Sequence, residues 1–268
     1  NEETYRNVFT IHYPDEERHD ARPVKTSPVY DKLRRLGAVF GQRYGWERAN
    51  WFAPEGVEPK DVWSFRRTNY FEHVGNECRR LREKVGVIDL TPFTKFEVTG
   101  VGAEPWLDNL VANKVPTKVG RIALCHALTQ RGGIRSEFTI TKLADHHYYV
   151  VSAGAAERYD SDFLQKKLPT DGSVTLRNIT GSRGVFVLAG PRARDVLAKL
   201  TDVPLDNASF PWLTGQVIEA GLATDVFALR VNFVGALGWE LHFPIEYAHG
   251  LFDAIFAAGA EHGIGMAG

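Results

Sequence analysis

Glu137 is the residue whose surroundings in the sequence most strongly indicate chemistry. It follows Gly132 and Gly133, in a stretch that predicts two strands joined by a turn. Phe138 and Ile140 lie close by and predict partial burial of the acid. A partly desolvated carboxylate can act as a general base or stabilise a cation. We therefore predict a catalytic role for Glu137; the alternative is a solvated acid on the exposed side of a hairpin, which is common for Glu.

Glu240 is the second carboxylate with apolar neighbours in the sequence. It alternates with three large apolar residues, Trp239, Leu241 and Phe243. On a half-buried strand Glu240 and His242 would share the other face, which either meets solvent or lines a site. A carboxylate suits the paired N–H donors of a planar pterin or guanine ring, because two parallel hydrogen bonds fix orientation. Together, Glu137 and Glu240 predict one site with two well-separated carboxylates.

Other residue types in the chain give weaker signals. Phe233, seven residues before Glu240, is typical of a core position and could alternatively stack on a ligand. Asn113 follows a predicted helix end, where Asn often caps the last turn. Cys78 and Cys125 lack metal-ligand spacing and predict buried thiols of a reducing compartment. The histidines show no ligand spacing either, and no dinucleotide-binding fingerprint is present, so neither a metal site nor a nucleotide site is predicted.

Charge and composition narrow the classes of partner. The 268 residues contain 32 basic and 33 acidic side chains, scattered and not gathered into a stripe, which argues against nucleic acid. No apolar run approaches the length of a membrane span. The chain begins at Asn1, its only methionine is Met266, and it stops soon after a helical pattern. We expect it to be a piece of a larger protein.

The elements that must position these residues follow from periodicity. Residues 1–60 are predicted to be irregular, and helix 71–85 is predicted to bury Phe71, Val74, Cys78 and Leu81. Further helices are predicted over 103–110, 155–167, 191–200 and 245–262. Strands are predicted over 94–100, 121–128, 135–142, 147–152, 173–178, 184–189, 215–220, 225–232 and 238–243. Strand pairs interleaved with helices predict an α+β fold with antiparallel sheets and packed helices.

Several of these segments carry a family resemblance: residues 87–100, Asn113, and residues 120–139, 188–191 and 233–244. In them the chain resembles the folate-binding aminomethyltransferase family of the glycine cleavage system. It is similar in particular to the C-terminal part of dimethylglycine and sarcosine dehydrogenase flavoproteins. Residues 20–54 resemble the linker region of these flavoproteins. The resemblance implies an aminomethyltransferase-like fold, incomplete at the C-terminus. Residues 1–65 would form a connector from a flavin domain, and residues 66–268 a truncated folate-binding domain.

The resemblance also implies an activity and its cofactors. In such proteins a flavin domain in cis uses FAD to oxidise a small N-methyl amine to an iminium. The folate domain captures that carbon on tetrahydrofolate as 5,10-methylenetetrahydrofolate. The sequence leaves the identity of the amine and the oligomeric state open. The resemblance places the protein in a bacterial cytoplasm or a mitochondrial matrix.

The resemblance assigns the family's site residues to positions of this chain. The family's catalytic aspartate falls on Glu137, which keeps the acid but adds a methylene. Its pterin-anchoring glutamate falls on Glu240 without change. Asn113 matches a family asparagine and is assigned to the folate site.

Three further positions depart from the family pattern. Phe233 stands where Tyr is usual, so stacking is kept and a hydroxyl is lost. Leu124 replaces a tyrosine, and Ala153 replaces an asparagine; Phe233 and Leu124 are still assigned to the folate site by position. The thinner polar lining favours an alternative, a non-catalytic regulatory protein similar to the pyruvate dehydrogenase phosphatase regulatory subunit. A folate-dependent demethylase without flavin is a third option, which the linker resemblance disfavours.

Overall fold

The computed structural model describes residues 2–231 and 234–268. The helices in these ranges are α1 Glu2–Arg6, α2 Tyr30–Arg35, α3 Phe71–Glu83, α4 Ala103–Leu110, α5 Glu157–Lys166, α6 Ala193–Leu197 and α7 Ala248–Gly259. The first strands are β1 Ala38–Arg43, β2 Trp46–Phe52, β3 Gly86–Asp89, β4 Thr94–Thr99, β5 Ile122–Leu128, β6 Ile134–Ala144 and β7 His147–Ser152. The remaining strands are β8 Thr175–Asn178, β9 Arg183–Ala189, β10 Gly215–Ala220, β11 Ala223–Leu229, β12 Gly238–Pro244 and β13 Gly265–Met266.

Two sheets organise this part of the chain. The large sheet has the strand order β10-β11-β12-β9-β3-β13, and the small sheet has the order β5-β6-β7-β4-β8. Strands β1 and β2 form a separate hairpin. Every pairing is antiparallel except that of β13 with β3, which is parallel. The predicted α+β fold with antiparallel sheets and packed helices is confirmed.

Each sheet packs its apolar face against helices. The core of the large sheet includes Phe186 and Trp239, packed with residues of α6 and α7. The core of the small sheet includes Phe138 and Ile140, packed with residues of α4 and α5. Because side chains alternate along a strand, Phe138 and Ile140 take up the helix-facing side of β6 and leave Glu137 on the other side.

The prediction that residues 1–60 are irregular is wrong, because α2 and the β1–β2 hairpin lie within them. Alternate residues of β2 are buried, and Trp51 is fully buried. One of the buried residues is Glu47, whose carboxylate accepts a hydrogen bond from Arg22 at 2.9 Å. A charged residue on the buried face hides the apolar alternation that would otherwise indicate a strand.

Helix α3 forms where predicted but buries a different face. Phe71 and Cys78 are exposed, whereas Glu77 and Leu81 are buried. The Glu77 carboxylate accepts hydrogen bonds from two backbone N–H groups of neighbouring segments, which allows an acid on the buried face. Cys125 is buried as predicted, and the prediction for Cys78 is wrong.

Two short strands also escaped prediction. Strands β3 and β13 have too few residues to show a period.

Among the described residues, no helix combines the length and the apolar character needed to cross a bilayer.

Candidate functional site

A cavity of about 440 Å³ lies between the two sheets and is lined by both predicted carboxylates. Glu137 and Thr139 of β6 and Ser152 of β7 line it from the small sheet. Glu240 of β12 lines it from the large sheet, and Asp160 of α5 contributes a third carboxylate. The fold therefore joins residues that are more than 100 positions apart in the sequence.

Cavity size alone does not select this site. A second cavity, of about 450 Å³, lies beside α3 and β13 and is lined in part by His73, Glu77 and Arg80. None of the predicted site residues that the structure describes lines this second cavity. We identify the first cavity as the candidate site because its lining contains the two carboxylates.

Glu240 lies in the interior of the protein. Strand β12 pairs with β9 and β11 on its two sides, and Glu240 is only 3 % exposed. His242, on the same face of the strand, is fully buried. Of the two readings of this face, solvent or site, the structure excludes solvent.

A chain of hydrogen bonds holds the Glu240 side chain. The hydroxyl of Tyr149, in β7 of the small sheet, lies 2.9 Å from Nδ1 of His242. Nε2 of His242 lies 3.1 Å from Oε2 of Glu240. We refer to this arrangement as the Tyr149–His242–Glu240 chain. It connects the two sheets beside the cavity.

The protonation states along the chain follow from burial. Desolvation lowers the pKa of His242, although the neighbouring Glu240 opposes this effect. Desolvation raises the pKa of Tyr149 well above its ordinary value. Tyr149 therefore keeps its proton and donates to Nδ1 of His242. The neutral imidazole then carries its proton on Nε2 and donates to Glu240.

Glu137 lies at the edge of the site in a wetter environment. Its side chain is 50 % exposed, and its Oε2 lies 2.9 Å from Nε2 of His126. The predicted burial by Phe138 and Ile140 is wrong, because these two side chains face the helices on the other side of β6. Glu137 thus has one histidine partner and access to water.

His126 is a functional candidate that the sequence reasoning missed. The β5–β6 register places it directly opposite Glu137. The two residues are 11 positions apart, which matches no standard ligand spacing. Only the pairing register of the hairpin reveals the contact, and the Gly132–Gly133 turn was the one available hint.

Asp160 was also missed, although it is the most deeply buried acid of the cavity. It is 1 % exposed, and its Oδ1 accepts a hydrogen bond of 2.6 Å from the Ser136 hydroxyl. In the described ranges neither its Oδ2 nor the hydroxyl of Ser152 has a hydrogen-bond partner. Its position one turn before buried Leu164 on α5 could have indicated a buried acid.

Of the other positions singled out from the sequence, only some line the cavity. Ala153 lines the cavity. Leu124 is 45 % exposed and is not in the lining. Asn113 is exposed and outside the lining; its amide donates to the carbonyl of Leu124 at 2.8 Å. Phe233 lies outside the described residues.

Metal binding finds no support in the part of the chain that the structure describes. There, no three His, Cys, Asp or Glu side chains are grouped so as to hold a metal ion.

Comparison with known proteins identifies the family of the chain. The model of the GCVT N-terminal domain family matches residues 29–268. Mitochondrial dimethylglycine dehydrogenase of Mus musculus is 37 % identical over 265 residues, which cover 98 % of this chain and 30 % of that protein. The chain therefore belongs to the GCVT aminomethyltransferase domain family and is related to the dimethylglycine and sarcosine dehydrogenases.

Two further comparisons bear on fold and on function. The crystal structure of glycine cleavage system aminomethyltransferase T from Bartonella henselae superposes with a TM-score of 0.74. The two are 22 % identical, covering 91 % of this chain and 60 % of that chain, which supports the predicted fold. The mitochondrial pyruvate dehydrogenase phosphatase regulatory subunit of Mus musculus is 30 % identical over 97 % of this chain and 30 % of that protein. The chain thus spans about 30 % of the length of these curated relatives.

Proposed function

We propose that the cavity between the sheets binds tetrahydrofolate, and that the chain is the one-carbon-transfer portion of an FAD-dependent dehydrogenase of N-methyl amines. The substrate would be an amine of the dimethylglycine or sarcosine type. The observation that carries the proposal is the shared cavity, in which the buried Glu240 and the half-exposed Glu137 face one space in a chain of this family.

The chemistry of the lining suits a pterin ring. Adjacent N–H donors on the ring edge need a carboxylate acceptor, and Glu240 offers one that is shielded from water. Hydrogen bonds to a charged group are stronger than neutral ones, and burial removes competition from solvent. Apolar residues such as Phe93, Val151 and Ala153 supply walls for a flat ring.

Glu137 would serve the transfer step. Tetrahydrofolate supplies the nitrogens that take up the one-carbon unit of an iminium. A carboxylate at the cavity edge stabilises that cation before transfer and accepts the proton released afterwards. The contact with His126, on the neighbouring strand β5, restricts the orientation of the Glu137 carboxylate.

FAD would be held by a flavin domain in cis, outside this chain. Residues 37–41 run from the end of α2 into β1, and residues 181–184 lead into β9. Neither glycine-containing segment connects a strand to a helix, as a dinucleotide loop requires. We propose a bacterial cytoplasm or a mitochondrial matrix as the compartment; the related dimethylglycine dehydrogenase is described as mitochondrial.

Titration of the full-length protein with tetrahydrofolate, followed by product analysis, tests the proposal. We expect saturable binding, and we expect turnover of the N-methyl amine to yield 5,10-methylenetetrahydrofolate in place of free formaldehyde. The Glu137→Gln variant should bind tetrahydrofolate normally but release formaldehyde, because it lacks the proton acceptor. Glu83→Gln, which alters an exposed acid of α3, is the matched control.

A regulatory protein without catalysis is the second candidate. The identity to the pyruvate dehydrogenase phosphatase regulatory subunit and the apolar Ala153 in the lining favour it. Under this alternative the wild-type protein would show no saturable binding of tetrahydrofolate and would not consume the N-methyl amine, so that neither 5,10-methylenetetrahydrofolate nor formaldehyde would form.

A further inference from the structure

The Tyr149–His242–Glu240 chain is built from both sheets and is shielded from water along its whole length. Tyr149 is 1 % exposed, His242 fully buried and Glu240 3 % exposed. Tyr149 and His242 are 93 residues apart in sequence. The cost of burying three polar side chains is offset only if each of them is hydrogen-bonded, as the two distances show.

Packing fixes the orientation of the two rings. The Tyr149 ring meets the His242 ring edge to face, with centroids 5.3 Å apart and planes at 90°. Phe227 meets Tyr149 in the same way, at 5.3 Å and 81°. These contacts leave the imidazole little freedom to turn, so its Nε2 points at Glu240 and its Nδ1 at the tyrosine hydroxyl.

Two basic side chains lie close to the Tyr149–His242–Glu240 chain. The Arg183 guanidinium lies over the Phe227 ring, 4.0 Å from its centroid. The side chain of Lys95, a fully buried residue of β4, donates to the carbonyls of Thr91 and Arg183 at 2.8 and 2.6 Å, and desolvation lowers its pKa to about 7. In their charged forms both groups lower the pKa of His242 further, after the larger effect of desolvation. A neutral imidazole with a single N–H is therefore the stable form.

We propose that His242 and Tyr149 are positioning residues that hold the Glu240 carboxylate in one orientation toward the cavity. The ligand class that this arrangement selects is a flat heterocycle with adjacent N–H donors on one edge. The inference deepens the proposed function and rests on it for the identity of that heterocycle. The hydrogen-bond chain itself is independent of which ligand binds.

Replacing His242 tests the central link. His242→Leu removes the donor at similar volume, and we expect tetrahydrofolate to bind at least about 10-fold more weakly to the full-length protein. His242→Gln places an amide donor near the position of Nε2, and we expect it to recover affinity to within about 3-fold of wild type. Equal losses in both variants, with unchanged thermal midpoints, would overturn the proposal.

A double-mutant cycle separates orientation from packing. Tyr149→Phe removes only the hydroxyl, and we expect about 3- to 10-fold weaker binding when His242 is present. In the His242→Leu background the same change should have no further effect, because Tyr149 acts through the imidazole. Additive effects would mean that the Tyr149 hydroxyl acts independently of His242 and would contradict the inference.

A measurement without folate distinguishes failure of this inference from failure of the proposed function. Nitrogen-15 NMR of histidine-labelled protein, with His242→Gln used to assign the signal, reports which ring nitrogen carries the proton. We expect a neutral ring protonated on Nε2 between about pH 6 and 8. A proton on Nδ1, or a charged ring, overturns the inference even if folate binds. If the expected tautomer is found but tetrahydrofolate does not bind, the hydrogen-bond chain is supported. The proposal that the cavity binds tetrahydrofolate is then wrong.

Discussion

Glu240 and Glu137 line one cavity from different sheets, and their environments differ in almost every respect. Glu240 lies on an interior strand, is 3 % exposed and is linked through His242 to a tyrosine of the other sheet. Glu137 lies near a hairpin turn, is half exposed and contacts one histidine of the neighbouring strand. The environment of Glu240 holds its carboxylate in one orientation, as ligand binding requires. The environment of Glu137 lets its carboxylate exchange protons with water, as acid–base chemistry requires.

The difference teaches how one cavity can separate affinity from chemistry. A buried acceptor contributes most to binding, because its loss leaves donors unpaired away from water. An exposed ion pair contributes little to stability, because solvent screens it. Substitutions on the two sides of the cavity should therefore affect different measurements.

The largest effect is expected for Glu240→Ala. Loss of the acceptor removes hydrogen bonds to a charged group and leaves the Nε2 proton of His242 without a partner. We expect tetrahydrofolate affinity to fall about 100-fold or more, measured by calorimetric titration of the full-length protein. Glu137→Ala is the matched control and should change affinity by less than about 5-fold. Unchanged affinity in Glu240→Ala would remove the distinction between the two carboxylates.

An intermediate effect is expected for Asp160→Ala, which tests whether the buried side of the cavity extends to α5. Ser136 loses its acceptor and a small void is left, so the free energy of unfolding should fall by about 2 kcal/mol. Urea denaturation checks this value. Asp162→Ala, on an exposed position of the same helix, should change it by less than about 0.5 kcal/mol. Equal effects of the two substitutions would show that burial of Asp160 is not important for stability.

The smallest effect is expected for His126→Asn. The pair with Glu137 is exposed, so the free energy of unfolding should change by less than about 1 kcal/mol. Because Glu137 loses its partner, we expect the rate of 5,10-methylenetetrahydrofolate formation to fall about 2- to 5-fold, with tetrahydrofolate affinity unchanged. A loss of affinity comparable to that of Glu240→Ala would mean that His126 contributes to ligand binding. The proposed difference between the Glu137 and Glu240 sides of the cavity would then be wrong.

Local pattern was sufficient for much of the fold. Helix α4 and strand β7 have the predicted bounds, since α4 has helical spacing of its buried residues and β7 is a continuous run of aromatic and β-branched residues. Strand β2 escaped detection because Glu47 occupies its buried face, and α3 buries Glu77 where Cys78 was expected. In both cases an acid is buried because it has a hydrogen-bond partner that no local pattern contains.

The candidate site was predictable to a similar extent. Alternation along β12 indicated that Glu240 and His242 share a face, and the Gly132–Gly133 turn with its apolar surroundings, together with the family resemblance, singled out Glu137. Neither could identify Asp160 or His126 as neighbours of these residues, because those contacts depend on helix packing and strand register.

The sequence by itself determined the family, the α+β class and the two carboxylates that define the hypothesis. It also determined which residues of each strand point the same way, because side chains alternate with a period of two. Only the tertiary structure decided what covers each face: Tyr149 over His242, and open solvent beside Glu137. The physical reason is that burial and hydrogen-bond partners arise from segments distant in sequence, whose approach is fixed by the packing of the two sheets.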